Sequence, residues 1–355
     1  MTLKRYPLLQ QMIDDMGQQS SLYKPTQFWQ ICSARLIEDL NKSRIEKFRS
    51  LPSSLSFFVP TYSYPNYYMD PKRFEPVKNT LWPLIEQNKL FMMRFENLIA
   101  GKIHAFADYR TFLASSTDSS PYTDLISESN VGEPIEQFLF DGRKFSRSFL
   151  NYLLGINFIK KNTPTDKIKT VMEIGGGFGT LGEILLGDKR NECFYINADI
   201  PPLAYVSDYY LKILFGDENI CGYGELKGDE SLDIDDLKER YKALSLCSWQ
   251  VPKLQGKIDL FVNFISFQEM EPDIVENYCE NIRRLKPEFI LLRNLKEGKK
   301  KKDKKNPIGV TDPILGRDYN NYFPEYELMD ANTTVFGYET EDGFHSELRL
   351  YKLSD

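Results

Sequence analysis

The run Val171-Met-Glu-Ile-Gly-Gly-Gly-Phe-Gly-Thr-Leu-Gly182 constrains the fold more than any other part of the chain. It opens as a strand-length apolar segment carrying one acid, Glu173, and glycines then stand at 175, 176, 177 and 179. Such a cluster stops a strand, because glycine enters left-handed backbone without steric cost and so permits a tight reversal. A helix pattern resumes near Thr180, giving strand, turn and helix in succession. The turn lets a ligand approach the backbone closely, and the first N–H groups of the helix favour a negative group such as a carboxylate. A nucleotide-like cofactor is expected here, held by Gly175, Gly176, Gly177 and Gly179.

The same rhythm extends downstream. Strand-like runs recur at 193–198, 244–249, 257–265 and 289–293, separated by helical patterns at 203–215, 234–241 and 272–285. This alternation predicts an α/β fold, a doubly wound Rossmann-like parallel sheet with right-handed crossovers. Two further β-rich runs, 326–336 and 345–353, have Gly337 and Gly343 between them and no helix, which predicts a C-terminal antiparallel hairpin on one sheet edge. Residues 1–145 lack the βαβ rhythm. Helix-like patches at 27–48 and 84–112 flank a stretch, 57–76, where Pro60, Pro65, Pro71 and Pro76 are expected to prevent regular helix. The chain thus divides into a mainly helical cap or accessory region, 1–145, and a catalytic domain, 146–355.

Composition excludes several classes. With 355 residues, 41% of them apolar, the chain can bury a large core. A net charge of −6 gives no overall attraction to nucleic acid or anionic lipid, so neither is expected as a partner. The five cysteines are odd in number and form no C-x-x-C pair, which favours free buried thiols over disulfides or zinc. Residues 1–16 have no continuous apolar stretch, and the longest apolar segment, 258–267, is half the length of a spanning helix; a cytoplasmic location is expected. Seven lysines between 296 and 305 read as a solvated loop, with an anion or nucleic-acid contact as the alternative. Asp233-x-Asp235 reads as a capped helix start rather than a metal site, and no metal is expected.

Twenty-six residues after Glu173, the second strand ends in Asp199, where a carboxylate can accept hydrogen bonds from both hydroxyls of a ribose. Two cofactors compete, because Gly177-x-Gly179-x-x-Gly182 also spells the dinucleotide pattern G-x-G-x-x-G. In a dinucleotide fold the first glycine follows the strand directly, whereas here the strand ends at Gly175. The pattern Glu173-x-Gly175-x-Gly177-x-Gly179 resembles the first motif of S-adenosylmethionine-dependent methyltransferases. That resemblance implies S-adenosyl-L-methionine as cofactor, with Glu173 organising its methionine end. An NAD(P)-dependent oxidoreductase and a non-catalytic scaffold that keeps the fold are the alternatives.

A narrower resemblance rests on Ser148-Phe-Leu-Asn-Tyr-Leu-Leu-Gly155, the segment Val171 to Leu185, and Asp259-Leu-Phe-Val-Asn-Phe-Ile-Ser-Phe-Gln-Glu-Met270. These are similar to a family of sugar O-methyltransferases acting on deoxysugars of natural products or on surface glycans. The resemblance implies a small sugar-bearing acceptor; association into a homo-oligomer is left open. Methyl transfer to a hydroxyl requires in-line alignment and removal of a proton from a weak acid. Glu269, past the fourth strand, and His345, at the start of the last, are the candidate bases. Asn263, Gln268, Tyr64 and Tyr67 are candidate acceptor contacts; tyrosine can stack on a sugar face and hydrogen-bond its hydroxyls. The strand carrying Asn263 lacks the Pro-Pro-Tyr arrangement of amino-group methyltransferases and the Pro-Cys of cytosine-carbon enzymes, which leaves oxygen as the acceptor atom.

Overall fold

The computed structural model describes residues 5–64, 71–86, 88–306, 308–337, 339–340 and 343–354. Runs of apolar residues form an eight-stranded sheet: β1 (Thr170–Ile174), β2 (Phe194–Asp199), β3 (Ile220–Cys221), β4 (Ala243–Cys247), β5 (Leu260–Phe264), β6 (Phe289–Leu295), β7 (Tyr326–Asn332) and β8 (Ser346–Leu353). Their spatial order is β7-β8-β6-β5-β1-β2-β4-β3. The pairings among β1 to β6 are parallel, while β8 runs antiparallel to both β6 and β7. The predicted doubly wound sheet and its C-terminal antiparallel pair are both present. β8 lies inside β7, so the chain's last strand is not the edge.

The sheet is buried on both faces, and alternate side chains divide between them as a pleated strand requires. Val171, Tyr195, Ala243, Leu260, Val262 and Leu291 pack with α7 (Arg147–Asn162), α8 (Thr180–Gly187) and α9 (Leu203–Phe215). Met172, Ile196, Leu244, Leu246, Phe261 and Ile290 pack with α10 (Ile234–Arg240) and α11 (Pro272–Arg284). Helix α7 lies close enough to β5 that a Cβ at Gly155 would collide with the Phe264 ring. The strand order reverses at β1, which opens a crevice between the C-terminal ends of β1 and β5.

The N-terminal region contributes α1 (Pro7–Gly17), α2 (Gln27–Lys42), α3 (Pro52–Phe57), α4 (Pro71–Ile85), α5 (Lys89–Ile99) and α6 (Lys102–Ser115). Its Leu9, Leu36, Phe48 and Phe112 belong to the same apolar cluster as α7, α8 and α9. The expectation that prolines keep 57–76 free of helix fails in part. α3 reaches Phe57 and α4 begins at Pro71, a first-turn position where proline costs no hydrogen bond. Pro76 and Pro83 lie inside α4, each removing one ladder bond. The single helical patch expected over 84–112 is broken at Gly101 (φ 75°), where a Cβ would strike the Tyr62 backbone. All five cysteines are free and buried. Asp233 caps α10, accepting from the N–H groups of Asp235 and Asp236 at 2.9 and 3.2 Å. Among the described residues no helix is long and apolar enough to cross a membrane, and no group of three or more His, Cys, Asp or Glu side chains could hold a metal.

Candidate active site

After β1 the backbone is left-handed at Gly175 (φ 73°), Gly177 (φ 59°) and Gly179 (φ 94°), and α8 starts at Thr180. The glycines differ in what they face. A Cβ at Gly175 would collide with Ser266, and one at Gly176 with the Glu173 carboxylate and Asn197. At Gly177 nothing lies within 4 Å of such an atom, so this position opens onto free space.

That space is a cavity of about 270 Å³. Its floor is the turn, Gly175 to Phe178; one wall is α7 through Ser148, Asn151 and Tyr152, and another is Phe264, Ile265, Ser266 and Glu269 after β5. Arg293 of β6 closes one side, and Trp29, Phe57 and Phe58 of the N-terminal region cover it. A smaller cavity of about 40 Å³ continues past Gly175 and Ser266, between Asp199, Ile200, Ser248 and Tyr278 below and Lys24, Pro25 and Thr26 above. Trp29 borders both.

Asp199, at the end of β2, is tied to the turn. Its carboxylate accepts from the N–H of Gly177 at 2.9 Å and of Ile200 at 2.7 Å. Burial pushes its carboxyl up to about 7, against the pull of those two hydrogen bonds. Glu173 lies beneath Gly176 rather than in the cavity wall. It is fully buried and accepts from the hydroxyls of Tyr152 and Tyr195, each at 2.6 Å. Burial raises its carboxyl to about 7, opposed by the two phenols. Tyr152 in turn lies flat against Phe264, with ring centroids 4.9 Å apart and planes 2° from parallel. Glu173 is therefore separated from the cavity by the Tyr152 ring it holds and by the underside of the turn.

The two candidate bases part company. Glu269 lines the cavity; one carboxylate oxygen accepts from the Trp29 indole at 2.9 Å and the other pairs with Lys299 at 2.9 Å. His345 lines neither cavity. Its imidazole lies between Glu297 at 2.8 Å and Glu339 at 3.1 Å, and its hydrogen bond to the Glu297 carboxylate holds it above its ordinary value.

Asn263 and Gln268 also lie behind the cavity, not in it. Asn263 donates to the Ile174 carbonyl at 2.9 Å and accepts from the Phe267 N–H at 3.0 Å. Gln268 accepts from the Leu295 N–H at 2.7 Å. Both fasten together the strand ends that carry the site, because a polar side chain buried there must satisfy itself on nearby backbone. Tyr64 is 58% exposed and lines neither cavity. Tyr67 lies outside the described residues.

Several cavity residues escaped the sequence reading. Ser148, Asn151 and Tyr152 sit at i, i+3 and i+4 of an otherwise apolar helix, a polar stripe that could have been noticed. Arg293 ends the apolar run Phe289–Leu292, a break of the same kind. Ile265 has φ 71°, rare for a β-branched residue, and is held by its N–H to the Arg293 carbonyl at 2.6 Å. Trp29 carried no local signal.

No family profile and no curated protein matches the chain. Among solved structures it is similar to TehB from Haemophilus influenzae, at 11% identity over 57% of this chain and 61% of that one, with a TM-score of 0.36. It is similar to magnesium protoporphyrin IX methyltransferase from Synechocystis PCC 6803, at 10% identity over 57% and 81% of the two chains, TM-score 0.37. It is also similar to geranyl diphosphate C-methyltransferase from Streptomyces coelicolor A3(2), at 9% identity over 57% and 78%, TM-score 0.38. The match spans less than two thirds of TehB.

Proposed function

We propose that the chain is an S-adenosylmethionine-dependent O-methyltransferase whose acceptor is a hydroxyl of a sugar or sugar-bearing metabolite. One observation carries this reading: Gly177 faces open space at the strand-order reversal, with the Asp199 carboxylate on one side and a polar, aromatic-walled cavity on the other. The turn fits the cofactor, since a side chain at 177 would fill the cradle. Gly175 to Gly177 would hold the methionine part and Asp199 the ribose, each of its oxygens keeping a second lone pair for a hydroxyl. When bound, the cofactor supplies an electrophilic methyl group on its sulfonium.

The chain's own residues would do the rest. Ser148 and Asn151 offer hydrogen bonds to acceptor hydroxyls, and the rings of Trp29, Phe57 and Phe58 present faces on which a pyranose can stack while excluding water. Glu269 takes the proton from the acceptor hydroxyl, with Trp29 and Lys299 fixing where its oxygens point. The sugar class rests on the resemblance of the three sequence segments together with this mixture of polar and aromatic walls.

Calorimetric titration with S-adenosylhomocysteine and with NADH separates the cofactors. Binding of the former alone is expected; binding of NADH alone, or of neither, overturns the proposal. Methyl transfer from labelled donor to a panel of glycosides then tests the acceptor, and transfer to amines but no glycoside would remove the sugar hydroxyl.

A further inference from the structure

We infer that the outer face of α6 is a dimer interface, and that what covers it is α6 of a second copy of this chain, crossing antiparallel. α6 buries Ala105, Tyr109 and Phe112. Those residues have their partners: the Tyr109 ring lies 4.9 Å from that of Phe140 and 5.0 Å from that of Phe145, and the Phe112 carbonyl accepts from Asn157 of α7 at 2.9 Å. The opposite face is apolar as well. Ile103, Phe106 and Leu113 are 46%, 48% and 45% exposed, with Ala107 and Ala114 exposed beside them. A surface helix ordinarily turns polar residues outward, and one that is apolar on both sides is a helix that is covered. Along this face runs a groove of about 610 Å³ walled by Ile103, Phe106, Arg110, Leu113 and Leu139.

The spacing says what kind of surface fits. Ile103, Phe106, Arg110 and Leu113 follow one another at three, four and three residues, the seam along which one helix packs on another, and the small side chains of Ala107 and Ala114 let a second helix come close. The charges select one pairing. Parallel copies in register would set Arg110 against Arg110, and an antiparallel crossing centred on Phe106 would set Lys102 against Arg110. A two-fold crossing centred on position 108 avoids both: Ile103 meets the second copy's Leu113, and Phe106 meets the second copy's Arg110, a guanidinium over an aromatic face. Asp108 itself turns inward and accepts from the Tyr62 hydroxyl at 2.5 Å, so it does not oppose its own counterpart.

The area is sufficient. α5 borders the same groove through Asn97 and carries Leu90, Phe91, Met93 and Leu98 at 46–52% exposure; Leu139 adds a side chain 66% exposed. With the three apolar residues of the α6 seam, these are eight large apolar side chains about half open. Together they offer on the order of 700 Å² per copy, more than a monomer ordinarily leaves to water in one patch and close to the ~800 Å² that each side of a stable interface covers.

Equilibrium sedimentation of the full chain should give the mass of two chains at micromolar concentration. Phe106→Ser/Leu113→Ser should raise the dissociation constant of the dimer about tenfold or more, with an unchanged far-ultraviolet circular dichroism spectrum. Cross-linking then reads the register with changes at exposed alanines that leave the fold alone. On oxidation Ala107→Cys, one residue from the two-fold centre, should form a disulfide with its own counterpart. Ala114→Cys should form none, because at ~1.5 Å per residue it lies about 18 Å along the axes from its counterpart. All five native cysteines are buried, so the background is low. A single chain at every concentration, a dimer indifferent to the double substitution, or cross-linking at 114 as readily as at 107 overturns the inference. So does a single chain that binds phosphatidylglycerol vesicles through this face in place of a second copy.

Discussion

The indole N–H of Trp29 donates to a carboxylate oxygen of Glu269 at 2.9 Å, joining helix α2 to the loop after β5 across 240 residues of chain. Lys299 holds the other oxygen at 2.9 Å. The N-terminal region is thereby part of the wall of the cavity, and the carboxylate proposed above as the base is the one that fastens the cover.

Those two roles separate by substitution. Trp29→Phe keeps the ring and loses the donor; for a half-buried hydrogen bond to a charged group the cost is about 1 kcal/mol, read as a lower urea midpoint. Glu269→Gln keeps an acceptor for Trp29 but removes the base, and kcat should fall by roughly 10²- to 10⁴-fold at unchanged affinity for S-adenosylhomocysteine. A kcat that hardly moves would take Glu269 out of the proton transfer.

The glycine turn predicts a contrast between neighbours. Gly176→Ala drives a methyl group into Glu173 and Asn197, so it should lose stability, by ~1–3 kcal/mol as in other overpacked sites. Gly177→Ala meets no atom within 4 Å but has φ 59° and points into the cavity. Its loss of stability should be about 1 kcal/mol, and its main effect should be on cofactor binding. Thermal unfolding and calorimetry on the two variants measure this; equal losses of binding at equal stability would contradict it.

Asp199→Ala should weaken cofactor binding by ~1.5–3 kcal/mol, the range for a hydrogen bond to a charged group. The carboxyl ionises at about 7 in the folded chain, and ribose hydroxyls favour its charged form. Affinity should therefore rise with pH through about 7, with release of a proton on binding, and Asp199→Asn should abolish that dependence. Calorimetry in buffers of different ionisation enthalpy reads the proton directly, and a pH-independent affinity in the unaltered chain would exclude Asp199 from the ribose site.

Glu173 predicts a trend in stability. Its folded value of about 7 stands above the ordinary 4.5, so between these the native chain keeps a proton that the unfolded chain has released. Its contribution is complete below 4.5 and is lost as pH rises through about 7. Asp199 and Glu183, also raised to about 7 by burial, act in the same direction. The urea midpoint should fall from pH 5 to 8, and Glu173→Gln should reduce the slope; a slope identical to that of the unaltered chain would show that Glu173 is ionised throughout.

The strand, turn and helix at 170–187, the parallel sheet and its antiparallel end were legible because each is written in local residue pattern: apolar runs, glycines and helical spacing act over a few residues. Asp199 was legible for the same reason, as the last residue of a strand. The placements of Asn263, Gln268 and His345 were not. Their residue types suit acceptor contacts or proton transfer, but burial against particular backbone groups, or pairing with Glu297 and Glu339, gives them other work.

What the chain's sequence determined alone was the order of elements and the glycine turn that opens at Gly177. Only the tertiary structure decided which side chains meet there: Trp29 with Glu269, Tyr152 beneath the turn with Glu173, and Arg293 beside the cavity. The reason is physical. Secondary structure follows from neighbours a few residues apart, whereas a site is assembled by packing that brings together strand ends and helices distant along the chain, and no short-range pattern records those meetings.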